Sequence, residues 1–227
     1  KGRDRTLLSP IAHQYLATQK DSQLVSSNNW KIIANGVTDI QSREFQYVLQ
    51  NQAAFEAVAS PKRVQRKIEN IVTEFLTPAV EYRDTIAYAK KRLIAQTIQS
   101  RKNDSLLFDF DMRIAEKTAN WKKYKAVTKA STELFLYKDA KSLQEIASNY
   151  LKHIADTASL KYAIQWAQQA LTINETYDTQ ILLAKLYQKT KDTKQAIDWA
   201  NKAKARNGAL GWKTKEADDL LVKIKKK

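Results

Sequence analysis

Asp109 and Asp111, on either side of Phe110, are the carboxylates whose spacing first invites a chemical reading. Two acids that share a proton can act as general acid and base. Residues two apart on a helix point to different faces, so the pair reads instead as solvated acids flanking a buried Phe. Asp218 and Asp219 fail for the same reason. His13 could hydrogen-bond locally and His153, beside Ile154, reads as a partly buried core histidine, but neither has a nucleophile or carboxylate partner at informative spacing. Gly36 stands alone, and Gly208 and Gly211 lack the strand–turn–helix context of a phosphate-cradling loop. Lys90-Lys91-Arg92 could touch phosphates, yet the nearby Tyr82 and Tyr88 sit at helix-packing spacing. The chain alone is therefore expected to carry no catalytic residue, no metal site and no cofactor.

The strongest signal is an echo rather than a motif. Ala163, Ile164, Trp166, Ala167 and Ala170 recur 33 residues later as Ala196, Ile197, Trp199, Ala200 and Ala203, with Leu183-Ala184-x-x-Tyr187 between the copies. Small residues spaced by four and then three let helix backbones approach closely, the logic of the tetratricopeptide hairpin. On this spacing Trp166 and Trp199 fill one structural slot twice and serve repeat packing rather than stacking on a ligand.

In such modules the first helix of each hairpin lines the binding groove. Setting Ala163 and Ala196 as equivalent places Ser148, Lys152 and Ala155 on that face in one hairpin, and Ile181, Lys185 and Gln188 in the next. Lys152 and Lys185 would then stack on adjacent rungs and could hold a partner carboxylate.

Composition sets the frame for these elements. The chain has 227 residues, 43% of them hydrophobic, with only 4 Gly and 3 Pro. That scarcity disfavours sheets and long loops and favours an all-helical fold. With no cysteine, disulfides, thiolate zinc sites and cysteine nucleophiles are excluded. No apolar run approaches the roughly 20 residues that span a bilayer, and no signal-peptide h-region opens the chain. It begins at Lys1 rather than Met, which predicts an upstream portion.

The net charge of +15 is uneven: residues 61–102 carry ten Lys/Arg against four Asp/Glu, and 161–227 carry fourteen against seven. Such asymmetry can mark an anionic partner. It is also what a lysine-rich solvated surface shows, and Lys223, Lys225, Lys226 and Lys227 suit a helix C-terminus.

Helix punctuation is legible throughout. Ser9-Pro10 and Ser60-Pro61 read as a cap followed by Pro at the first helical position. Gly36 reads as the residue just past a helix carrying Trp30, Ile32 and Ile33. Asp39 or Ser42 can cap the helix of Phe45, Val48 and Leu49. Val64, Ile68, Ile71, Val72 and Phe75 make a stripe expected to end near Pro78. Ile86, Leu93, Ile94 and Ile98 mark a long helix, Asp104 caps the next, and Asn120 caps one reaching Tyr137. Hairpins follow from about residue 142, and the tail beyond Gly211 predicts a capping helix. The polar run Ser100-Arg101-Lys102-Asn103 predicts a division into 1–102 and 103–227, packed as one body.

Tyr177-Asp178-Thr179-x-x-x-Leu183-Ala184-x-x-Tyr187, followed by Ala196-Ile197 and Ala203, resembles the helical C-terminal region of bacterial envelope proteins that carry a thioredoxin-like domain in front. Asn28-Asn29-Trp30-x-Ile32-Ile33, Asp39-x-x-Ser42-x-x-Phe45-x-Tyr47 and Asn120-Trp121-x-x-Tyr124 are similar to segments of that region, in the same order, over most of residues 10–206. The resemblance implies a periplasmic or cell-envelope protein whose redox site, a Cys-x-x-Cys, would lie upstream, because none is present here. The expectation is an all-α, right-handed helical array with tetratricopeptide-like hairpins in its C-terminal half. It would act as a non-catalytic interaction domain for a protein partner or client, such as the adjoining thioredoxin-like domain. The alternative is a basic helical protein binding nucleic acid or an anionic membrane surface, of which nucleic acid is disfavoured by the residue pattern.

Overall fold

The computed structural model describes residues 5–99 and 101–225; Lys1, Ser100, Lys226 and Lys227 lie outside them. Among the described residues there are fourteen helices and no strand, so the fold is all-α. They divide into two units, Lys1–Thr118 and Ala119–Lys227.

Unit 1 holds α1 (Arg5–Ala17), α2 (Asp21–Leu24), α3 (Ser27–Gly36), α4 (Arg43–Gln50), α5 (Gln52–Val58), α6 (Pro61–Glu81), α7 (Thr85–Ala95) and α8 (Arg101–Lys117). The central α6 packs against α5, α7 and α8. Its stripe of Val64, Ile68, Ile71, Val72, Leu76 and Val80 is buried with Leu16, Ile33, Phe45, Phe55 and Phe110. Ser26, Ser42 and Ser60 each accept a hydrogen bond from the backbone N–H three residues on, opening α3, α4 and α6.

Prolines interrupt these helices less than expected. Pro10 lies inside α1, and α6 continues through Pro78 to Glu81. Each ring holds a helical φ and forfeits one hydrogen bond. Beside Pro78 the Lys91 ammonium donates to the Phe75 carbonyl at 2.8 Å.

Gly36 is the last residue of α3 rather than the residue beyond it. Its role is proximity. A Cβ there would collide with the Ala12 Cβ of α1, and the Leu8 carbonyl lies 3.3 Å from the same point. The end of α3 is closed instead by Lys67 of α6, which donates to the carbonyls of Ala34 (3.1 Å) and Val37. A cation at a helix C-terminus opposes the macrodipole.

The boundary between the units falls after Thr118, not at the polar run near residue 102. Asn103, almost fully buried, donates to the carbonyls of Ala95 and Ile98 at 3.0 and 2.7 Å. Asn103 thus satisfies the end of α7 and joins α8 to it. Asp104 accordingly lies in the first turn of α8 instead of capping it.

Unit 2 holds α9 (Trp121–Phe135), α10 (Ala140–His153), α11 (Thr157–Ile173), α12 (Tyr177–Lys189), α13 (Thr193–Ala209) and α14 (Lys215–Lys225). Asn120, Asp139, Asp156, Thr176 and Asp192 cap α9 to α13 in order. The helices pair as α10 with α11 and α12 with α13, and α14 lies on α13 and α12. The Tyr177 hydroxyl accepts from the Ala217 N–H at 3.1 Å, satisfying an amide in the first turn of α14.

Two outcomes test this packing. Gly36→Ala should destabilise by about 1–3 kcal/mol through overpacking, and adding Ala12→Gly should restore much of the loss in thermal melts. The second concerns pH. Hydrogen bonds from Ser159 and Lys125 hold the Asp156 carboxyl well below the usual carboxylate range, and the Ser142 amide lowers that of Asp139. The native state then binds fewer protons than the unfolded one, so this contribution is full above the ordinary carboxylate pKa and fades as pH falls below it. Asp156→Asn keeps a capping side chain that does not titrate. Urea unfolding from about pH 7 to about pH 3 should show a smaller acid loss for that variant than for wild type.

Candidate partner-binding face

The hairpins repeat at 37 residues rather than at 33. Ile146-Ala147-x-x-Tyr150 of α10 and Leu183-Ala184-x-x-Tyr187 of α12 match at that spacing, as do the caps Asp139 and Thr176. In the second helices the buried residues Ser159, Ala163, Trp166 and Ala170 correspond to Ala196, Ala200, Ala203 and Asn207. The echo visible in the sequence is one helical turn out of register. Four residues return the chain to nearly the same face, so either alignment sets alanine on a buried stripe.

The shift changes what each aromatic residue does. Ala163, Ala167, Ala170, Ala196, Ala200 and Ala203 are buried, as repeat packing requires. Trp166 is 1% exposed and meets Tyr150 edge-on at 5.2 Å. Trp199 is only half-buried and carries Lys202 over its ring at 4.1 Å. Its counterpart at 37 residues is Tyr162, which carries Lys129 at 4.9 Å. The two tryptophans therefore occupy different slots.

The face assigned to α10 and α12 is only partly open. Ser148 is half-buried and Lys152 is exposed, while Ala155 lies past the end of α10. Ile181 is buried with Ala203 and Ala217 under the start of α14. Lys185 is half-buried and paired with Glu216 of α14 at 2.6 Å. Gln188 is half-buried. In the 37-residue register Lys185 shares a rung with Ser148, and Lys152 shares one with Lys189, whose ammonium donates to the Leu151 carbonyl. A carboxylate clamp made of Lys152 and Lys185 therefore does not form; the exposed pair is Lys152 and Lys189.

The groups considered for chemistry are placed as follows. Asp111 is buried and accepts from the Tyr88 hydroxyl at 2.8 Å and from Arg92 Nε at 2.9 Å. It is not the solvated acid its spacing suggests, because α7 presents both donors to it. Burial, reinforced by the charge of Asp111, pushes the Tyr88 hydroxyl well above its ordinary pKa, so it stays a donor. Asp109 is exposed and faces Arg113 at 3.8 Å. Asp218 pairs with Lys204 and Asp219 with Lys215, each at 2.7 Å.

His13 lies 3.5 Å from the buried Glu44 of α4, a partner that sequence spacing did not show. His153 is exposed rather than in the core and stacks flat on Trp121, with ring centres 3.7 Å apart. Of Lys90-Lys91-Arg92, Lys91 is held by Phe75 and Arg92 by Asp111, while Lys90 is exposed. Among the described residues no group of three or more His, Asp or Glu could hold a metal.

Sequence reasoning missed a groove of about 590 Å³ between α9 and α11, bounded by Glu133, Tyr137, Gln165, Gln168, Gln169 and Thr172. Its available signal was the glutamine-rich outer edge of α11. Gln168 donates to the Tyr187 hydroxyl and Gln169 to the Tyr137 carbonyl, which leaves that edge largely satisfied.

Compared with family models, curated proteins and solved structures, the chain matches none.

Proposed function

We propose that unit 2 is a non-catalytic, tetratricopeptide-like interaction module, and that the chain is the helical companion of a thioredoxin-like domain in a cell-envelope protein. The observation that carries the reading is the double hairpin. One arrangement of buried positions, small at Ala147, Ser159 and Ala163 and again at Ala184, Ala196 and Ala200, occurs twice at 37 residues, the first helices α10 and α12 contact each other, and α14 covers the last hairpin. Repeats of this kind bury their flanks against neighbours and leave the first helices to present side chains to a partner. With Lys185 neutralised by Glu216, the open part of that face is Ser148, Lys152, Gln188 and Lys189, a short basic strip that favours an acidic protein segment. The envelope setting and the thioredoxin-like neighbour are supported by the ordered phrases around Trp30, Phe45, Trp121 and Tyr187. Without cysteine this chain supplies no thiol to that chemistry.

The test is capture from a bacterial envelope extract, followed by titration of the purified partner and, separately, of a thioredoxin-like domain supplied in trans. Lys152→Glu with Lys189→Glu should leave melting nearly unchanged, since exposed lysines add little to stability. It should weaken partner binding by about tenfold or more. Equal affinity of the double variant would reject this face, and the absence of any saturable protein binder would reject the module reading.

A further inference from the structure

Four cations of unit 1 line one cavity. Between α3 and α6 lies a pocket of about 320 Å³ walled by Trp30 and Ala34 and lined by Lys31, Asn35, Arg63, Arg66, Lys67 and Asn70. Four of these side chains are cations and none is a carboxylate. Lys67 is buried and held by the carbonyls at the end of α3, which fixes one wall. Lys31, Arg63 and Arg66 are exposed, and among the described residues no carboxylate lies within ion-pair distance of them. The nearest acid along α6, Glu69, is engaged by Lys102 at 3.5 Å.

This arrangement is unfavourable for the empty protein. Arg63 with Arg66 and Arg63 with Lys67 are like-charged neighbours at three and four residues, which destabilise a helix. They also lie in the first two turns of α6, where the macrodipole disfavours cations, and that first turn carries no acid. An anion in the pocket would relieve both terms. Two guanidinium forks match the oxygens of a phosphate group, and the Asn35 and Asn70 amides border the same space.

We propose that the α3–α6 pocket is a binding site for a phosphate-class oxyanion, a phosphomonoester group carried either by a small metabolite or by a lipid headgroup. It is separate from the interaction face of unit 2 and does not depend on that reading.

Calorimetry with inorganic phosphate and pyrophosphate, at constant ionic strength in chloride, tests the site. Wild type should bind saturably at one site, and its melting temperature should rise with phosphate beyond the effect of chloride. Arg63→Gln with Arg66→Gln should weaken binding by about tenfold or more, since hydrogen bonds to charged groups are worth that much. The same variant should melt no lower than wild type in phosphate-free buffer, because it removes repulsion. Asn70→Asp, which sets a carboxylate among the cations at constant shape, should also abolish binding. Lys62→Gln, which removes one positive charge from the same helix outside the pocket, should leave it intact.

Sedimentation with phosphatidylcholine vesicles, with and without phosphatidic acid, separates the sources. Vesicle binding that free phosphate competes away assigns a lipid headgroup, and phosphate binding without vesicle binding assigns a soluble ester. The proposal is overturned by the absence of saturable phosphate binding, by undiminished binding in the double arginine variant, or by an equal loss in Lys62→Gln. Capture of a single-stranded oligonucleotide that phosphate does not displace would overturn it in favour of a polymer.

Discussion

Alanine Cβ atoms set how closely the helices of unit 2 approach one another. Ala147 and Ala184 in the first helices, and Ala163, Ala200 and Ala203 in the second, are all buried at helix contacts. Interaxial distance follows the side chains at the crossing, so methyl-sized contacts bring backbones near and leave little space for adjustment. Larger groups must then be placed where the alanines leave room, and Trp166 is the case in point. It takes the position that Ala203 takes in the following hairpin, because there it meets Tyr150 rather than the start of α14. In unit 1 the same constraint reaches its limit at Gly36, where not even a methyl group fits against Ala12.

Close packing obliges the chain to satisfy its helix ends from side chains, because the connections are too short to do so. The amine of Lys67 closes α3, the amide of Asn103 closes α7, and the phenol of Tyr177 serves the first turn of α14. Each of these polar groups comes from a different element, so each end-closure also fixes a tertiary contact. Asp111 works similarly, tying α8 to α7 through Tyr88 and Arg92. A buried carboxylate with a charged partner and a further hydrogen bond avoids the cost of an isolated buried charge.

The helices themselves were legible in the sequence because their signals are local. Ser60 before Pro61, Asn120, and the stripe Val64–Ile68–Ile71–Val72 need no knowledge of the rest of the fold. Three kinds of feature were not legible. Pro10 and Pro78 were read as boundaries, yet a proline costs one hydrogen bond and packing outweighed it. Asp111 reads as solvated, and Asn103 as part of a polar break, because their partners lie outside their own helix. The repeat spacing was misread because alanine at four-residue intervals looks alike in registers one turn apart. That last ambiguity moved the candidate face, coupling Lys152 with Lys189 and handing Lys185 to Glu216.

Net charge by segment shows where cations are abundant but not where they are free. Residues 161–227 have the larger excess, yet in the folded chain Lys185, Lys204, Arg206 and Lys215 each face a carboxylate within 3.2 Å. Those ions are spent holding α14 and the hairpin ends in place. In residues 61–102 three of the four acids are engaged away from Arg63 and Arg66: Glu69 with Lys102, Glu81 with Lys117 and Arg113, and Asp84 with the first amides of α7. Arg63 and Arg66 are left facing Lys31 across a concave surface, where low-dielectric walls concentrate the potential. Four cations of the first segment are therefore used in structural pairs, while Arg63 and Arg66 of the second stand together on an open concave surface. Pairing in the folded state, rather than composition, decides which of them can recruit an ion from solution.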